Sequence, residues 1–306
     1  MSALSRVLTF GVLLFALAVM PPGIAMAGWA DIYCTSPFDP FTDGTDGPDN
    51  LTGTDEPDAL HGRGGNDVLR GRGSNDTLCG GPGADKLHGG GGQNRLYGDK
   101  GRDELYGGDG SDWLYGGKGR DVLYGGAGRD ELYGEDGKDK LLGGDGLDWL
   151  YGGKGKDWLE GGNDRDMLFG EEGKDWLYGD GGPDILSGDE GDDRLYGGDG
   201  NDVLRGGDGD DTYTGGPGDD WFIFRHWELG DKIITDFEVD SDVILLRPTC
   251  APSCHTRDPQ DNPWPSIADI LVSEVQEPGG FMVYTLLPGL TVETNVPLRE
   301  GDIVVD

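Results

Sequence analysis

Cations are scarce in this chain. Its 306 residues carry 24 Lys and Arg against 59 Asp and Glu, a formal charge of -35. Arg6 is the single charged residue in positions 1–27, so a chain without that segment stands at -36. Nucleic acid and anionic membrane surfaces both need clustered Lys and Arg, so the expected partners include no nucleic acid, and no stable membrane insertion is expected. Histidine is sparse too, at four residues. Zinc and copper centres need His or Cys, so neither metal suits a site repeated along the chain. Neither H-E-x-x-H nor G-x-S-x-G occurs, which removes the usual metalloprotease and serine-hydrolase signatures.

Long apolar runs are missing as well, apart from Val7 to Met20. That run follows Arg6 and precedes Pro21-Pro22 and the small-x-small triplet Ala25-Met26-Ala27. The pattern is that of a secretory signal and predicts cleavage after Ala27 and an extracellular product. A retained membrane anchor is the competing reading, but the run falls short of the ~20 residues a spanning helix needs. The four cysteines are Cys34, Cys79, Cys250 and Cys254. An even number in an exported chain suggests disulfides, although sequence does not fix the pairing. A local Cys250–Cys254 bridge is the first choice, with Cys34–Cys79 tying the N-terminal arm to the body of the chain. A metal site at Cys250 and Cys254 is the weaker reading, since only His255 lies near them in sequence.

What the chain has in abundance is glycine, 60 residues of it, at fixed intervals. From Gly44 to Ile223 one nine-residue unit, G-x-x-G-x-D-x-L-x, recurs twenty times without insertion or deletion. The first place is always Gly. The fourth is Gly except at Glu56, Ser74 and Asp164; the sixth is Asp except at Asn94; the eighth is Leu except at Tyr213 and Phe222. Acidic, Gly-rich composition alone would be compatible with disorder, but a disordered linker has no reason to keep Leu at every ninth place.

The unit explains itself physically. Its x-L-x segment is long enough for a short strand, in which Leu points one way and its two neighbours the other. A single nonapeptide cannot bury that Leu; stacked units can. Two loops and two strands, eighteen residues, make one turn of a flattened parallel coil, an all-β solenoid. At the ~4.8 Å strand spacing, Asp103, Asp121, Asp139 and Asp157 then line one edge and Asp112, Asp130, Asp148 and Asp166 the other. Two carboxylates ~5 Å apart repel by about 3 kcal/mol at an effective dielectric near 20. One buried Leu per strand, worth about 2–3 kcal/mol, cannot offset that together with backbone ordering. A cation must therefore sit between the rungs. The available ligands are oxygens, from Asp and from carbonyls that glycine lets turn inward. Calcium accepts six to eight oxygens with flexible geometry, whereas magnesium demands a tight octahedron. Multiple Ca2+ ions are thus the expected cofactor. The expected metal-site residues are Asp58, Asp67, Asp76, Asp85, Asp103, Asp112, Asp121, Asp130, Asp139, Asp148, Asp157, Asp166, Asp175, Asp184, Asp193, Asp202, Asp211 and Asp220.

On these residues the chain resembles the RTX nonapeptide-repeat family, whose consensus is matched at every fixed place by Gly80-Gly81-Pro82-Gly83-Ala84-Asp85-Lys86-Leu87-His88. The resemblance implies a calcium-loaded right-handed parallel β-roll, with ions held by the sixth-place Asp side chains and loop carbonyls, and folding triggered by millimolar extracellular calcium. Asn94, Glu56, Ser74 and Asp164 depart from the pattern, and sites near them are expected to be weakened. The first two units, with Thr54-Asp55-Glu56-Pro57, read as worn caps.

The chain therefore divides into a signal (1–27), an N-terminal arm (28–43), the roll (44–223) and a C-terminal β cap (224–306). The segments Trp221 to Phe224, Gly230 to Phe237 and Asp242 to Leu246 resemble the flank that closes such arrays. Candidate strands at 270–275, 281–287 and 290–296 suggest an antiparallel cap. The terminal Asp302 to Asp306 resembles the acidic-apolar tail of one-step secreted relatives, and an ordinary edge strand explains it equally. The arm is too short for a catalytic domain. His61 and His88 occupy ninth places, and His226 and His255 lack a nucleophile context, so no enzyme is expected.

Outward places carry aromatics. The ninth is Tyr at 97, 106, 115, 124, 133, 151, 178 and 196, and the seventh is Trp at 113, 149, 158 and 176. Stacked rings that stiffen the roll are the leading reading. The expected function is a secreted, non-catalytic calcium-binding roll with a structural or adhesive role. Its alternative is a calcium-dependent module binding cell-surface polysaccharide or protein through the Trp and Tyr faces. A second alternative is an enzyme whose activity lies in the C-terminal region.

Overall fold

The computed structural model describes residues 42–225, 228, 230–238 and 241–247, and the strand backbones at 273–276, 282–287, 290–294 and 303–305. The expected signal (1–27), most of the expected arm, Cys34, Cys250, Cys254, His226 and His255 lie outside these residues.

Among the described residues the chain is all β, without helix. From Thr42–Asp43 to Val243–Arg247 successive strands alternate between two sheets, and within the array each strand pairs with those two before and two after it in sequence. One sheet has 13 strands, from Thr42–Asp43 to Ile303–Val305; the other has 14. Throughout the array the pairing is parallel, and residues eighteen apart are partners: Leu105, Leu123, Leu141 and Leu159 on one sheet, Leu114, Leu132, Leu150 and Leu168 on the other. The parallel β-roll expected from the repeat is the fold.

Leucine makes the core. From Leu60 to Leu204 every eighth-place side chain is at most 1% exposed and belongs to one continuous cluster. Each contributes about 2–3 kcal/mol by leaving water. Toward the C-terminus the column changes to Tyr213, Phe222, Phe224, Ile234, Phe237 and Ile244. Their rings meet mostly edge to face, as Tyr213 does with Phe222 and Phe224. The Tyr213 hydroxyl, which a Leu could not supply, accepts the Gly206 N–H at 2.9 Å.

Beyond the array the sheets do not stop. Trp221–Arg225 pairs in parallel with Val243–Arg247 and that strand with Ile303–Val305, while Asp211–Thr214 is followed by Gly230–Ile234 and Leu290–Thr294. The expected antiparallel pairing is present further out, between Leu290–Thr294, Met282–Leu287 and Ser273–Gln276. The cap thus begins as additional parallel rungs and ends as an antiparallel meander. The acidic-apolar tail contributes the edge strand Ile303–Val305.

Candidate metal centre

The two edges of the roll carry the sixth-place carboxylates as two buried ladders. From Asp67 to Asp220 none of these Asp residues is more than 2% exposed. Within a ladder each Oδ1 accepts the backbone N–H of the Asp one turn earlier. Asp103 donates to Asp121, Asp121 to Asp139 and Asp139 to Asp157, each at 2.8 Å. On the other edge Asp112 donates to Asp130, Asp130 to Asp148 and Asp148 to Asp166, again at 2.8 Å. The fold thus answers half of each carboxylate with backbone.

The other half is unanswered. Sixteen ladder Asp residues hold a buried Oδ2 with no hydrogen-bond partner. Buried polar atoms are ordinarily satisfied, and an unpaired carboxylate oxygen is the costliest kind to leave. Burial pushes these carboxyls far above the ordinary 3.8: Asp103 and Asp139 to about 8, Asp130 to about 7, Asp121 and Asp157 to about 6. The ladder N–H bonds pull the other way without cancelling burial.

Backbone oxygens share the space around Oδ2. A Cβ built on Gly134 would fall 2.4 Å from the Gly152 carbonyl oxygen and 2.9 Å from Asp139 Oδ2; on Gly98 the corresponding distances are 2.6 Å to Gly116 and 2.8 Å to Asp103. First-place glycine is invariant because any side chain would enter this cradle. At the fourth place a Cβ on Gly101 would lie 1.4 Å from the Gly83 carbonyl oxygen one turn below. Among the described residues no three His, Cys, Asp or Glu side chains converge on one point. The cradle is a carboxylate oxygen surrounded by backbone carbonyls, a donor set for a hard, oxygen-seeking cation.

The second place was invisible in the sequence pattern. In all eighteen units from Arg63 to Gly216 its φ is positive, including seven non-glycine residues: Arg63, Arg72, Asp99, Glu135, Glu171, Asp180 and Asp189, at 70–88°. Ser74 and Asp164 likewise hold the left-handed conformation at the fourth place, φ 77° and 76°. The loop geometry survives these substitutions at a local conformational cost.

Four sixth-place residues differ, the first being Asp49, whose Oδ2 accepts the Thr45 N–H at 2.6 Å and the Thr45 hydroxyl at 2.9 Å. Asn94 keeps the ladder, its Oδ1 accepting the Asp76 N–H at 3.0 Å, but turns a partnerless Nδ2 toward the place where its neighbours turn Oδ2. Asp58 is only half-buried, and its Oδ2 is already taken by the Thr54 N–H at 2.5 Å and the Thr54 hydroxyl at 3.0 Å. That is how an end unit closes its own carboxylate. Asp211 meets Lys232, whose Nζ lies 2.7 Å from Oδ2.

A family model for the RTX calcium-binding nonapeptide repeat (4 copies) matches the chain in eight overlapping windows that together run over residues 43–222. The chain belongs to the RTX calcium-binding nonapeptide repeat family. No curated protein matches it. The RTX repeats bind calcium, and the orphaned Oδ2 rows fit that ion: oxygen donors only, anionic, and recurring turn after turn along both edges.

The aromatic rows stack on the outside of the same RTX scaffold. Tyr97, Tyr115, Tyr133, Tyr151 and Phe169 follow one another at 4.9–5.0 Å with nearly parallel rings. His88 opens a second stack on Tyr106 and Tyr124. Four of the five seventh-place Trp rings within the array are covered by a cation: Trp113 by Arg95, Trp149 by Arg129, Trp158 by Lys140 and Trp176 by Lys156, at 4.2–5.5 Å, while the fifth, Trp221, is exposed. Cys79 is fully buried and disulfide-bonded. Its partner, and so the expected pairing, lies outside the described residues.

Proposed function

We propose that this protein is an exported, non-catalytic β-roll that winds shut when it meets extracellular calcium and then serves as a rigid structural or adhesive element. One observation carries the reading: sixteen buried carboxylate oxygens without a partner, in two ladders that span the array. An unfolded chain hydrates those oxygens; a closed roll without cations leaves them bare. Metal affinity is therefore folding free energy, as in other domains whose site does not exist before the fold.

Calcium titration of the purified chain after chelation, followed by circular dichroism, tests this directly. The expected result is conversion from a largely unordered spectrum to β structure, reversed by chelator. A spectrum unchanged by either addition contradicts coupled closing. Export rests on the Arg6, apolar and Ala25-Met26-Ala27 pattern, and the intact mass of material recovered from the medium should correspond to a chain beginning at Gly28. Turnover of glycan, ester or peptide substrates by the intact protein would contradict a non-catalytic role.

A sugar-stacking platform on the Trp faces is the weaker reading. Four of the five array Trp rings already carry a Lys or Arg, which leaves Trp221 alone rather than a row, and the Tyr rings spend their faces on one another. Adhesion, on this view, comes from the stiff roll as a whole rather than from bare aromatic rings.

A further inference from the structure

Lys232 is fully buried beside ladders in which all but one Asp from Asp67 to Asp220 keep a bare Oδ2. Its Nζ donates to the Gly207 carbonyl at 2.6 Å, the Gly209 carbonyl at 2.6 Å and Asp211 Oδ2 at 2.7 Å. An ammonium has three protons to give, and these three oxygens accept them. The acceptors are the second, fourth and sixth places of one nonapeptide, Gly206 to Thr214. Asp211 is also the one Asp between Asp67 and Asp220 in the ladders whose Oδ2 is not orphaned.

The backbone register sharpens the point. Lys232 is the strand partner of Asp211, standing where the repeat would set the next carboxylate. Asp211 still completes the ladder behind it, accepting the Asp193 N–H on Oδ1 at 3.0 Å. On the opposite edge no amine intervenes: the ladder runs on through Asp220 to Asp242, and Asp220 Oδ2 stays bare. A burial this deep is tolerated for a lysine only when all its protons find acceptors and its charge finds an opposite one.

We propose that Lys232 is a tethered cation occupying the ion place of the Gly206-to-Asp211 loop, so that this loop takes no calcium and stays closed when calcium is withdrawn. The inference rests on the calcium reading of the other loops. It also names their donor set from within the chain: the second- and fourth-place carbonyls and the sixth-place Oδ2 of one unit, met here by an ammonium. A neutral side chain at 232 should turn this loop into one more calcium loop.

The test counts calcium bound per intact chain by equilibrium dialysis, alongside hydrogen exchange in chelator. Asp175→Asn, in mid-ladder, is expected to lower the count, whereas Asp211→Asn leaves it unchanged. Lys232→Met is expected to raise the count by one. In chelator it should speed exchange of amides around Asp211 and Tyr213 by on the order of a hundredfold, the scale of breaking a buried ion pair. Calcium restores that protection in Lys232→Met. A lower count in Asp211→Asn overturns the proposal, and that variant decides the matter even where Lys232→Met does not fold. An unchanged count in a folded Lys232→Met, or lost protection that calcium does not restore, overturns it too. A chain that binds no calcium at all, wild type included, instead removes the calcium reading beneath it.

Discussion

At the scale of single residues, the useful distinction is between the two oxygens of one carboxylate. Oδ1 belongs to the fold, because it receives the N–H of the previous turn; Oδ2 is left without a partner and, on the proposed function, takes the cation. Asn94 separates them naturally, keeping the first and losing the second. Asn94→Asp should therefore leave the fold of the loaded protein unchanged and strengthen calcium binding. The expected result is a lower calcium midpoint in the dichroism titration, and an unchanged or higher midpoint would contradict the division of labour. The role of first-place glycine follows the same logic. Gly134→Ala would push a methyl against the Gly152 carbonyl and Asp139 Oδ2, at about 1–3 kcal/mol of overpacking in a cradle that cannot widen without opening a rung. Much of this was legible in the sequence: sixth-place Asp as the repeated edge carboxylate, Asn94 as its one break. The second place was not legible, because Asp, Glu and Arg at seven positions hide a left-handed backbone that glycine alone would have signalled. Sequence set Asp58 apart as part of a worn end unit, but it could not separate Asp211 from the rest. What distinguishes them is a Thr54 hydroxyl from Asp58's own loop and a Lys232 ammonium that arrives from the neighbouring strand.

At the scale of the strand and its turn, period settles almost everything. Eighteen residues a turn was readable because every loop has the same length, and with it came both sheets, the leucine column and the two Asp edges. The pattern fails where loop length changes. Tyr213 pairs with Ile234 and Phe222 with Ile244, offsets of 21 and 22, so the parallel rungs beyond the array do not announce themselves in the spacing. Each rung of a solenoid touches only its neighbours, so damage to one should be felt locally. Leu132→Ala, in mid-column and wholly buried, is expected to cost about 2–5 kcal/mol. On the proposed link between closing and calcium, that cost should emerge as a higher calcium midpoint rather than as a change in the fully loaded spectrum. Loss of β structure at saturating calcium would show that the rungs are not independent in this way.

At the scale of the whole molecule, the question is what a charge of -35 does when the roll is closed without its ions. Surface cations help somewhat. Arg102, Arg120, Lys138, Lys156 and Lys174 stand one turn apart, each immediately before a ladder Asp. They do not reach the buried oxygens; Lys156 lies over Trp176 and Lys174 pairs with Asp192. Protons can. In the closed metal-free roll the ladder carboxyls are raised by burial to between about 6 and 8, as for Asp121 and Asp103, whereas in an open chain they return to 3.8. Between these values the closed form holds more protons than the open one, so its stability rises as pH falls, most steeply from about 8 to about 4, and is lost as pH rises through 6 to 8. Calcium should then drive protons off: loading at pH 6 releases them and loading at pH 9 does not. Dichroism of the chelated chain should show more β structure at pH 5 than at pH 8, and a weakly buffered calcium titration at pH 6 should acidify. A chelated chain equally unordered at both pH values, with no proton release, would mean that the ladder carboxylates are not what keeps the empty roll open.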